Sequence, residues 1–404
     1  MQQISSQTLI RVTGAMMAIL IVLLGVMVWR QGRVVDQLVE QEIERNNLTS
    51  SDTLEEPVSG SLKPQIINIS GEKRTLNLPE QYQIDVFTDQ IEKPQGVAVD
   101  DQGNVFVSDS DAQQVSVVPR SDRSRLEVVD TSLPNLSGLA WHEGDLYVVS
   151  GEKVYAYREV TAEGEYQDRE IIIDDLPRHN GSVGKQILVK DSRLVISIPA
   201  RCDACEERDP RYGSIMSYAL DGSDEELYAK GFHSVGGMTV RDGRVVVLDQ
   251  GRSGISATLP PSELNRVEEG RDYGWPFCYG KEATDPKYPN KVDFCTSQAE
   301  APLVELAAHV APAGITEIPS TISESLSGLF AVSYAGSDRY TVPRGYKVVV
   351  VNPDTGEVQN LITGWLDRSG SAWGKPGAIV DVSEQALLIA DQEAGVIYEL
   401  TRTE

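Results

Sequence analysis

A unit of two short strands recurs six times along the C-terminal three quarters of the chain. Each copy has a small residue, a short alternating strand, a polar turn and a second strand rich in Val, Leu and Ile. One such hairpin cannot bury both of its faces, so repeated copies are expected to stack radially. The copies begin at Gln95, Ser137, Lys185, Gly236, Ala313 and Pro376. We therefore predict an all-β fold, a six-bladed β-propeller over residues 75–404.

The spacing of the copies indicates where the functional face lies. A β-sandwich also has short strands joined by turns, but it does not repeat one hairpin pattern six times. The intervals are unequal, with 77 residues between the starts at Gly236 and Ala313 and 63 between those at Ala313 and Pro376. Insertions in repeat folds collect on the face that binds ligands. We expect the extra residues after the fourth and fifth units to build that face.

The N-terminal region predicts a membrane anchor followed by a stalk. Residues 12–29 are eighteen uncharged, mostly apolar residues between Arg11 and Arg30, a length that can cross a bilayer. A cleaved signal peptide is the alternative, but no small-x-small cleavage site follows the apolar run. We predict an uncleaved signal anchor within residues 1–33. The polar, acidic residues 34–74 are predicted to form a flexible stalk.

The cysteines and the net charge narrow the compartment and the partners. Cys202 lies near Cys205, and Cys278 near Cys295, so two local disulfides are expected, as in proteins of an oxidising compartment. A zinc site of four thiolates is the alternative, although the second pair lacks the usual spacing. The propeller is thus expected outside the cytoplasm, in the periplasm or at the cell surface. The formal net charge of −25 argues against nucleic-acid binding.

Six motifs in the second half of the chain resemble one family when read in order. They are RCDACEERDPRYGSI (201–215), PPSELNRVEEGRDYGWPFCYG (260–280), HVAPAG (309–314), GYKVVVV (345–351), TGWL (363–366) and WGKPG (373–377). This series resembles the sorbosone dehydrogenase-like family, relatives of the pyrroloquinoline quinone-dependent glucose and pyranose dehydrogenases. The resemblance implies a propeller that holds pyrroloquinoline quinone with calcium. It also implies oxidation of a small-molecule sugar or a related alcohol or aldehyde.

The family's catalytic histidine is not matched in this chain. The family places it in a loop before the third unit, and Ser182 occupies that position here. His179 lies three residues earlier and is a candidate substitute, because a neutral imidazole is the natural base near pH 7. Lys185 replaces an arginine of the same motif, which keeps the positive charge but loses the bidentate fork.

The resemblance also implies a set of residues that bind the cofactor. His233 stands where the family has an arginine before the fourth unit, and Arg339 is one residue away from another arginine position, now Tyr340. His309 in the H-x-A-P motif and Lys375 in the W-G-K-P motif match the family and are the main candidates. The sequence assigns no metal ligands.

Two other functions remain compatible with these replacements. A propeller without the base could have lost catalysis and could bind a glycan or a protein partner at the membrane. A calcium-dependent hydrolase of the lactonase type would need a ring of acidic ligands, for which Asp109, Asp249 and Asp391 are candidates. Each of these carboxylates follows an inner strand, where turn residues are also common.

Overall fold

A computed structural model gives the structure of residues 57–58, 61–178, 184–339, 342–367, 369–382 and 386–403. These residues form six four-stranded antiparallel sheets and two small two-stranded sheets, with very little helix. The predicted membrane anchor at residues 12–29 and the first part of the predicted stalk lie outside the described residues. Among the residues that are described, none of the helices has the length and apolar character needed to span a bilayer.

The strands follow one another along the whole described chain. In chain order they are β1 (Lys63–Ile69), β2 (Glu72–Leu78), β3 (Tyr82–Thr88), β4 (Pro94–Val99), β5 (Val105–Asp109), β6 (Gln114–Val118), β7 (Glu127–Asp130), β8 (Leu136–His142), β9 (Asp145–Ser150), β10 (Lys153–Arg158), β11 (Asp168–Ile173), β12 (Ile187–Lys190), β13 (Arg193–Ile198), β14 (Ser214–Ala219), β15 (Glu226–Lys230), β16 (Val235–Arg241), β17 (Arg244–Asp249), β18 (Ser262–Val267), β19 (Cys278–Tyr279), β20 (Ala283–Thr284), β21 (Val304–Leu306), β22 (Pro312–Glu317), β23 (Phe330–Tyr334), β24 (Lys347–Val351), β25 (Val358–Ile362), β26 (Pro376–Val382), β27 (Ala386–Asp391) and β28 (Val396–Arg402). Helix α1 (Val292–Ser297) follows a short 3-10 helix at Pro289–Lys291.

The six sheets are the blades of a propeller, as the repeats predict. Blades 1, 2, 3 and 5 are β4–β7, β8–β11, β12–β15 and β22–β25, blade 4 is β16, β17, β18 and β21, and blade 6 is β26, β27, β28 and β3. The innermost strand of every blade contacts the innermost strands of both neighbours, so β4, β8, β12, β16, β22 and β26 close a ring. Each predicted repeat supplies the first two strands of one blade.

Small residues lie at or next to the start of each repeat because the innermost strands of adjacent blades approach closely. A Cβ atom at Gly236 would lie 1.9 Å from the carbonyl oxygen of Pro312, and one at Gly314 would lie 2.3 Å from that of Gly377. Only glycine allows two backbones to come this near. Farther out, apolar side chains fill the space between blades, as where Phe106 of blade 1 stacks on Trp141 of blade 2 at 5.2 Å.

The ring is closed by a strand from each end of the propeller. Strand β3 pairs antiparallel with β28 and forms the outer edge of blade 6, with Tyr82 opposite Arg402 and Thr88 opposite Ile397. The last blade therefore combines one N-terminal strand with three C-terminal strands. This closure gives the sixth sheet the same four-stranded form as the other five.

Part of the predicted stalk is wrong, because the segment from residue 63 to residue 74 belongs to a hairpin. Strands β1 and β2 pair from Lys63 opposite Leu78 to Ile69 opposite Glu72. Ile67 and Leu76 are buried in an apolar cluster that includes Trp365. The backbone of Asn77 exchanges two hydrogen bonds with Thr363, of 2.7 and 2.9 Å. This hairpin is packed against the propeller and is not a free stalk.

The larger insertion lies inside blade 4, between β18 and β21. It contains β19, β20, the 3-10 helix and α1, and a disulfide joins Cys278 to Cys295 across it. The extra residues of the fifth unit divide between a loop at 318–329 and a second connection, of which residues 335–339 and 342–346 are described. The second connection carries Ser337 and Arg339, which line the candidate site described below.

Candidate functional site

A cavity of about 350 Å³ opens on one face of blades 3, 4 and 5. It is formed by loops that join the second and third strands of a blade, and by loops that lead into innermost strands. Three of the predicted cofactor-binding residues line it. The lining consists of Ala200, Arg201, Cys202, Asp203, His233, Ser234, Gln250, Gly251, Ser253, Ser262, His309, Ala311, Ser337 and Arg339.

His233 enters the cavity from the loop between β15 and β16. Its backbone N–H donates to Oδ2 of Asp249 at 2.9 Å, which fixes the loop. Its ring Nδ1 lies 2.9 Å from the carbonyl oxygen of Gln250. Because a carbonyl oxygen only accepts, Nδ1 carries the proton and Nε2 has the free lone pair in the neutral ring. Nε2 lies 3.7 Å from Oδ1 of Asp203.

His309 lines the opposite part of the cavity and is held differently. Its backbone has a φ of +62°, and its Nε2 donates to the carbonyl oxygen of Ser256 at 2.8 Å. Burial lowers the pKa of His309, and the positive charges of Arg344 and Arg339 act in the same direction. This shift favours the neutral form of the ring. A hydrogen bond from Nε2 leaves this nitrogen without a lone pair for taking a proton.

Two arginines give the cavity its positive charge. Arg201 is exposed and pairs with Glu207, with 3.1 Å between Nη2 and Oε2. Arg339 lies in the exposed loop between β23 and β24, where its backbone N–H donates to Oγ of Ser337 at 3.3 Å. Arg339 therefore adds an exposed positive charge to the lining of the cavity.

Arg252 stands behind the cavity and is already neutralised. Its guanidinium makes two hydrogen bonds to Asp285, through Nε to Oδ2 and through Nη2 to Oδ1, the latter at 3.0 Å. Its Nη1 lies 3.6 Å from Oδ2 of Asp203. These contacts tie the loop after β17 to the insertion of blade 4 and leave Arg252 with a supporting role.

The strand-end carboxylates hold loops in place. Asp249 accepts backbone hydrogen bonds from His233 and Ser234, the second at 2.6 Å. Asp109 accepts from the N–H of Glu92 at 2.7 Å, and Asp391 accepts from that of Lys375 at the same distance. Such contacts are typical of turn residues, the alternative that the sequence left open.

These carboxylates form no shared site with metal-ligand spacing. Within the described residues, one group of His, Cys, Asp or Glu side chains has that spacing, namely Cys202, Cys205 and Glu207. The two thiols of this group are bonded to each other. The acidic ring that a lactonase-type hydrolase requires is therefore not formed by Asp109, Asp249 and Asp391.

Two lysines predicted to bind a cofactor do not line the cavity. Lys185 is buried before β12, and its Nζ donates to the carbonyl oxygen of Gly151 in blade 2 at 2.7 Å. Burial lowers the pKa of Lys185 to about 8. Lys375 is half-exposed before β26, and its Nζ lies 3.4 Å from Oε2 of Glu393.

The catalytic candidates His179 and Ser182 fall in the range 179–183, outside the described residues. Tyr340 is outside them as well. The structure thus describes all five cofactor candidates and brings His233, His309 and Arg339 together. Lys185 and Lys375 do not line the cavity, so their assignment as cofactor-binding residues stays a prediction.

The cysteine pairing is confirmed, and one disulfide belongs to the site. Cys202 is bonded to Cys205, with 6.0 Å between their Cα atoms, and Cys278 is bonded to Cys295. The Cys202–Cys205 loop carries Asp203 into the cavity. This segment is one of the six motifs that resemble the sorbosone dehydrogenase-like family, but its residues Arg201 and Asp203 were not predicted to be site residues. The sequence feature that could have identified Asp203 is its position between Cys202 and Cys205, because a disulfide between them fixes a short loop.

One family model matches a short segment of the chain, and one known protein matches most of its length. The model of the NHL repeat matches residues 92–118, which contain β4, β5 and β6 of blade 1. An uncharacterized protein of Borreliella burgdorferi is 26% identical over 352 residues, which cover 81% of this chain and 90% of that protein.

The comparisons with solved structures identify the fold. The holo form of the pyrroloquinoline quinone domain of pyranose dehydrogenase from Coprinopsis cinerea superposes with a TM-score of 0.72 at 15% identity, over 83% of this chain and all (100%) of that domain. The quinone-bound aldose sugar dehydrogenase from Streptomyces coelicolor gives a TM-score of 0.59 at 16% identity, over 80% of this chain and 99% of that one. The chain has the fold of the quinone-dependent sugar dehydrogenases.

A third structure of this sugar dehydrogenase fold is similar over a comparable length. The calcium structure of a carbohydrate-active enzyme from Trichoderma reesei gives a TM-score of 0.68 at 16% identity, over 81% of this chain and 96% of that one. The resemblance that the sequence motifs indicated is thereby confirmed for the fold. The identities are low, so these likenesses establish architecture and leave the chemistry to the site itself.

Proposed function

We propose that this chain is an oxidoreductase that binds pyrroloquinoline quinone in the cavity of blades 3–5 and oxidises a sugar or a related alcohol or aldehyde. The observation that carries the proposal is the convergence of His233, His309 and Arg339 on one cavity of about 350 Å³. These three residues were selected from the sequence because they match or neighbour the cofactor positions of the family. The fold shared with quinone-dependent sugar dehydrogenases supports the same reading.

The donors around the cavity fit an anionic, planar ligand. Pyrroloquinoline quinone carries three carboxylates, which guanidinium groups bind well. The cavity presents Arg201, Arg339 and two imidazoles, against one carboxylate, that of Asp203. Its volume lies within the range of small-molecule sites, roughly 300–1,000 Å³. The residues present therefore suit the cofactor that the fold implies.

The arginines and His309 would hold the cofactor. Arg339 lines the cavity with an exposed guanidinium, which can pair with a ligand carboxylate. Arg201 can contribute from the blade 3 side, and the fixed ring of His309 limits the position of the ligand from the blade 5 side. When bound, the quinone supplies a two-electron acceptor for the carbon being oxidised.

His233 would accept the hydroxyl proton of the substrate. Its Nδ1–H is committed to Gln250, so Nε2 is the nitrogen that can take a proton. Asp203 is near enough to stabilise the resulting imidazolium. On this proposal the replacement of the family histidine by Ser182 moves the base to a different blade. With His233 as the base, the absence of the family histidine does not imply that the propeller has lost catalysis.

Calcium is a separate part of the proposal. The described residues offer no open carboxylate cluster that would bind it without the cofactor. Calcium is included because the fold occurs in a calcium structure of the Trichoderma reesei enzyme. A titration with and without calcium distinguishes its contribution from that of the quinone.

We also propose that residues 12–29 anchor the chain in a membrane, with the propeller in an extracytoplasmic compartment. Two disulfides support an oxidising location. The length and the apolar character of the N-terminal run support the anchor. Carbonate extraction of membranes, together with thiol labelling before and after reduction, tests both statements. Release of the chain by carbonate would contradict the anchor, and free thiols before reduction would contradict the location.

The central experiment uses the full chain in detergent. Calorimetric titration with pyrroloquinoline quinone, with and without calcium, measures binding, and a dye-linked assay over a panel of aldoses, alcohols and aldehydes measures turnover. The expected result is saturable binding and dye reduction with at least one sugar. Absence of binding under both conditions would overturn the proposal. Binding without turnover across the panel would favour a module that recognises a ligand without oxidising it.

A further inference from the structure

Asp203 carries a carboxylate into the cavity from the loop between β13 and β14. It lies in a ring closed by the disulfide of Cys202 and Cys205, with only Asp203 and Ala204 between the two cysteines. A covalent ring this short leaves its backbone few conformations. The side chain of Asp203 lines the cavity and is 44% exposed. The carboxylate is therefore held in place and is still accessible to a ligand.

Hydrogen bonds from blade 4 and its insertion orient this carboxylate. The backbone N–H and Oγ of Ser253 donate to Oδ1 of Asp203 at 2.7 and 2.8 Å. Trp275 donates from Nε1 to the carbonyl oxygen of Asp203 at 3.2 Å. The second carboxylate oxygen, Oδ2, lies 3.6 Å from Nη1 of Arg252. A carboxylate oxygen has two lone pairs, so Oδ2 can accept a hydrogen bond from a ligand while it faces Arg252.

A second acceptor lies beside this carboxylate and comes from the loop before blade 4. Nδ1 of His233 donates to the carbonyl oxygen of Gln250 at 2.9 Å, so the lone pair of the neutral ring is on Nε2. Nε2 lies 3.7 Å from Oδ1 of Asp203, which is too long for a hydrogen bond. Two acceptors thus lie side by side on one wall of the cavity, without a hydrogen bond between them.

Two adjacent acceptors match a ligand with two adjacent donors. Hydroxyl groups on neighbouring carbons bring their oxygens close together when the carbon–carbon bond is staggered in a gauche form. Each of these hydroxyls can donate one hydrogen bond, and a carboxylate is the stronger kind of acceptor. An alcohol with a single hydroxyl can satisfy only one of the two acceptors.

We propose that Asp203 is a specificity-determining residue, and that together with Nε2 of His233 it selects substrates with hydroxyl groups on adjacent carbons. The inference rests on the proposed function, in which the hydroxyl that is oxidised donates to Nε2. The neighbouring hydroxyl then donates to Oδ2 of Asp203. The ring form of an aldose has such a pair at the anomeric carbon and the next carbon. Aldoses are therefore preferred over their deoxy analogues and over simple alcohols.

Matched pairs of sugars test this preference. The full chain in detergent, loaded with pyrroloquinoline quinone and calcium, is assayed with glucose and its 2-deoxy analogue, and with ribose and deoxyribose. We expect kcat/KM to be roughly tenfold higher for the sugar with both hydroxyls, since a hydrogen bond to a charged group is lost in the analogue and partial exposure limits its strength. In Asp203→Ala this preference should disappear. A loss of turnover common to both sugars cancels in their ratio, so the test isolates recognition of the second hydroxyl.

Asp209→Ala is the matched control. Asp209 lies in the same loop, pairs with Arg211 and does not line the cavity, so the wild-type preference should be kept. Asp203→Asn is the second variant if Asp203→Ala does not fold, because the amide keeps the shape of the side chain and removes its charge. Circular dichroism checks folding. Equal kcat/KM for the two sugars in the wild type, or a preference that survives in both Asp203 variants, would overturn the role of Asp203 even if the chain is a dehydrogenase.

A binding measurement separates this inference from the proposed function. If no sugar is oxidised, saturation-transfer NMR with the same sugar pairs and the cofactor-free full chain measures recognition alone. Stronger binding of glucose and ribose than of their deoxy analogues, lost in Asp203→Ala, would support the inference while the proposed function fails. Equal binding within each pair, or no binding, would overturn both.

Discussion

The indole Nε1 of Trp365 donates a hydrogen bond to Oδ2 of Asp391 at 2.8 Å, and both side chains are fully buried. The hydroxyl of Tyr398 donates to the same oxygen at 2.9 Å, and the backbone N–H of Lys375 donates to Oδ1. One carboxylate thus joins the loop after β25, strand β28 and the start of β26. Burial raises the pKa of Asp391, while its hydrogen bonds act in the opposite direction.

Removing this carboxylate should destabilise blade 6 strongly. Asp391→Ala leaves the buried donors of Trp365 and Tyr398 without an acceptor, and we expect a loss of about 3 kcal/mol in the free energy of unfolding. Denaturant titration measures it. The control is Asp89→Ala, an exposed acceptor for Ser70, which should cost less than about 1 kcal/mol. Equal losses in the two variants would contradict the assigned role of Asp391.

A second buried carboxyl should make stability depend on pH. Glu263 accepts hydrogen bonds from the N–H of Gly280 and from Asn265, and lies opposite Asp249 across the β17–β18 ladder. Burial, reinforced by the charge of Asp249, raises the pKa of Glu263 to about 8 from an ordinary value of 4.5. Between these values the folded chain keeps a proton that the unfolded chain releases, so this group's contribution to stability falls as the pH rises.

Glu263→Gln should remove this contribution. The wild type is expected to lose stability by at most about 1.4 kcal/mol per pH unit from this group between pH 4.5 and 8, and the variant should show a flatter profile. Unfolding free energies measured at several pH values across this window test it. Glu72→Gln, at an exposed site, serves as the control. An identical slope in the wild type and Glu263→Gln would show that Glu263 is ionised in the folded chain.

Replacing His233 should affect turnover more than cofactor binding. Loss of a positioned base costs about 10²- to 10⁴-fold in rate, so His233→Gln should lower kcat by that factor in the dye-linked assay. His142→Gln is the matched control, because His142 ends β8 and does not line the cavity. If both variants retain wild-type kcat, the base is elsewhere, and His179 becomes the next residue to replace.

Replacing Arg339 should weaken the binding of the anionic cofactor. A charge-assisted hydrogen bond contributes about 1.5–3 kcal/mol, and partial exposure reduces this, so Arg339→Gln should raise the Kd about tenfold. Calorimetry at two salt concentrations should show a smaller salt dependence in the variant. Arg402→Gln changes an arginine of β28 that does not line the cavity, and its Kd should match the wild type. An unchanged Kd in Arg339→Gln would place the cofactor away from the β23–β24 loop.

The fold could be predicted because the propeller repeats one local pattern. In the repeat that begins at Gly236, the glycine indicates both the innermost strand β16 and the close approach of the next blade. Both features can be predicted from a short stretch of sequence. The hairpin of β1 and β2 was missed although Ile67, Ile69, Leu76 and Leu78 alternate with polar residues around a turn. The acidic, polar composition of residues 34–74 outweighed this alternation in the prediction.

Site residues could be predicted only where they lie in or next to a motif that resembles the family. His309 and Arg339 were selected by motif and do line the cavity, whereas Lys375, also selected by motif, lies beside Glu393. The relation of His233 to Asp203 joins residues from two blades, and its geometry depends on a disulfide and on Ser253. Sequence spacing carries no information about a distance of this kind.

The pairing of β3 with β28 also constrains how the protein is made. The ribosome synthesises β3 more than 300 residues before it completes β28, since Tyr82 pairs with Arg402. Until the last strand emerges, β3 has no partner, and the pairing has one of the largest sequence separations possible in the chain. Such non-local contacts form slowly and leave strand edges open to other chains. A ribosome stalled before residue 396 would therefore carry a nascent propeller that cannot close.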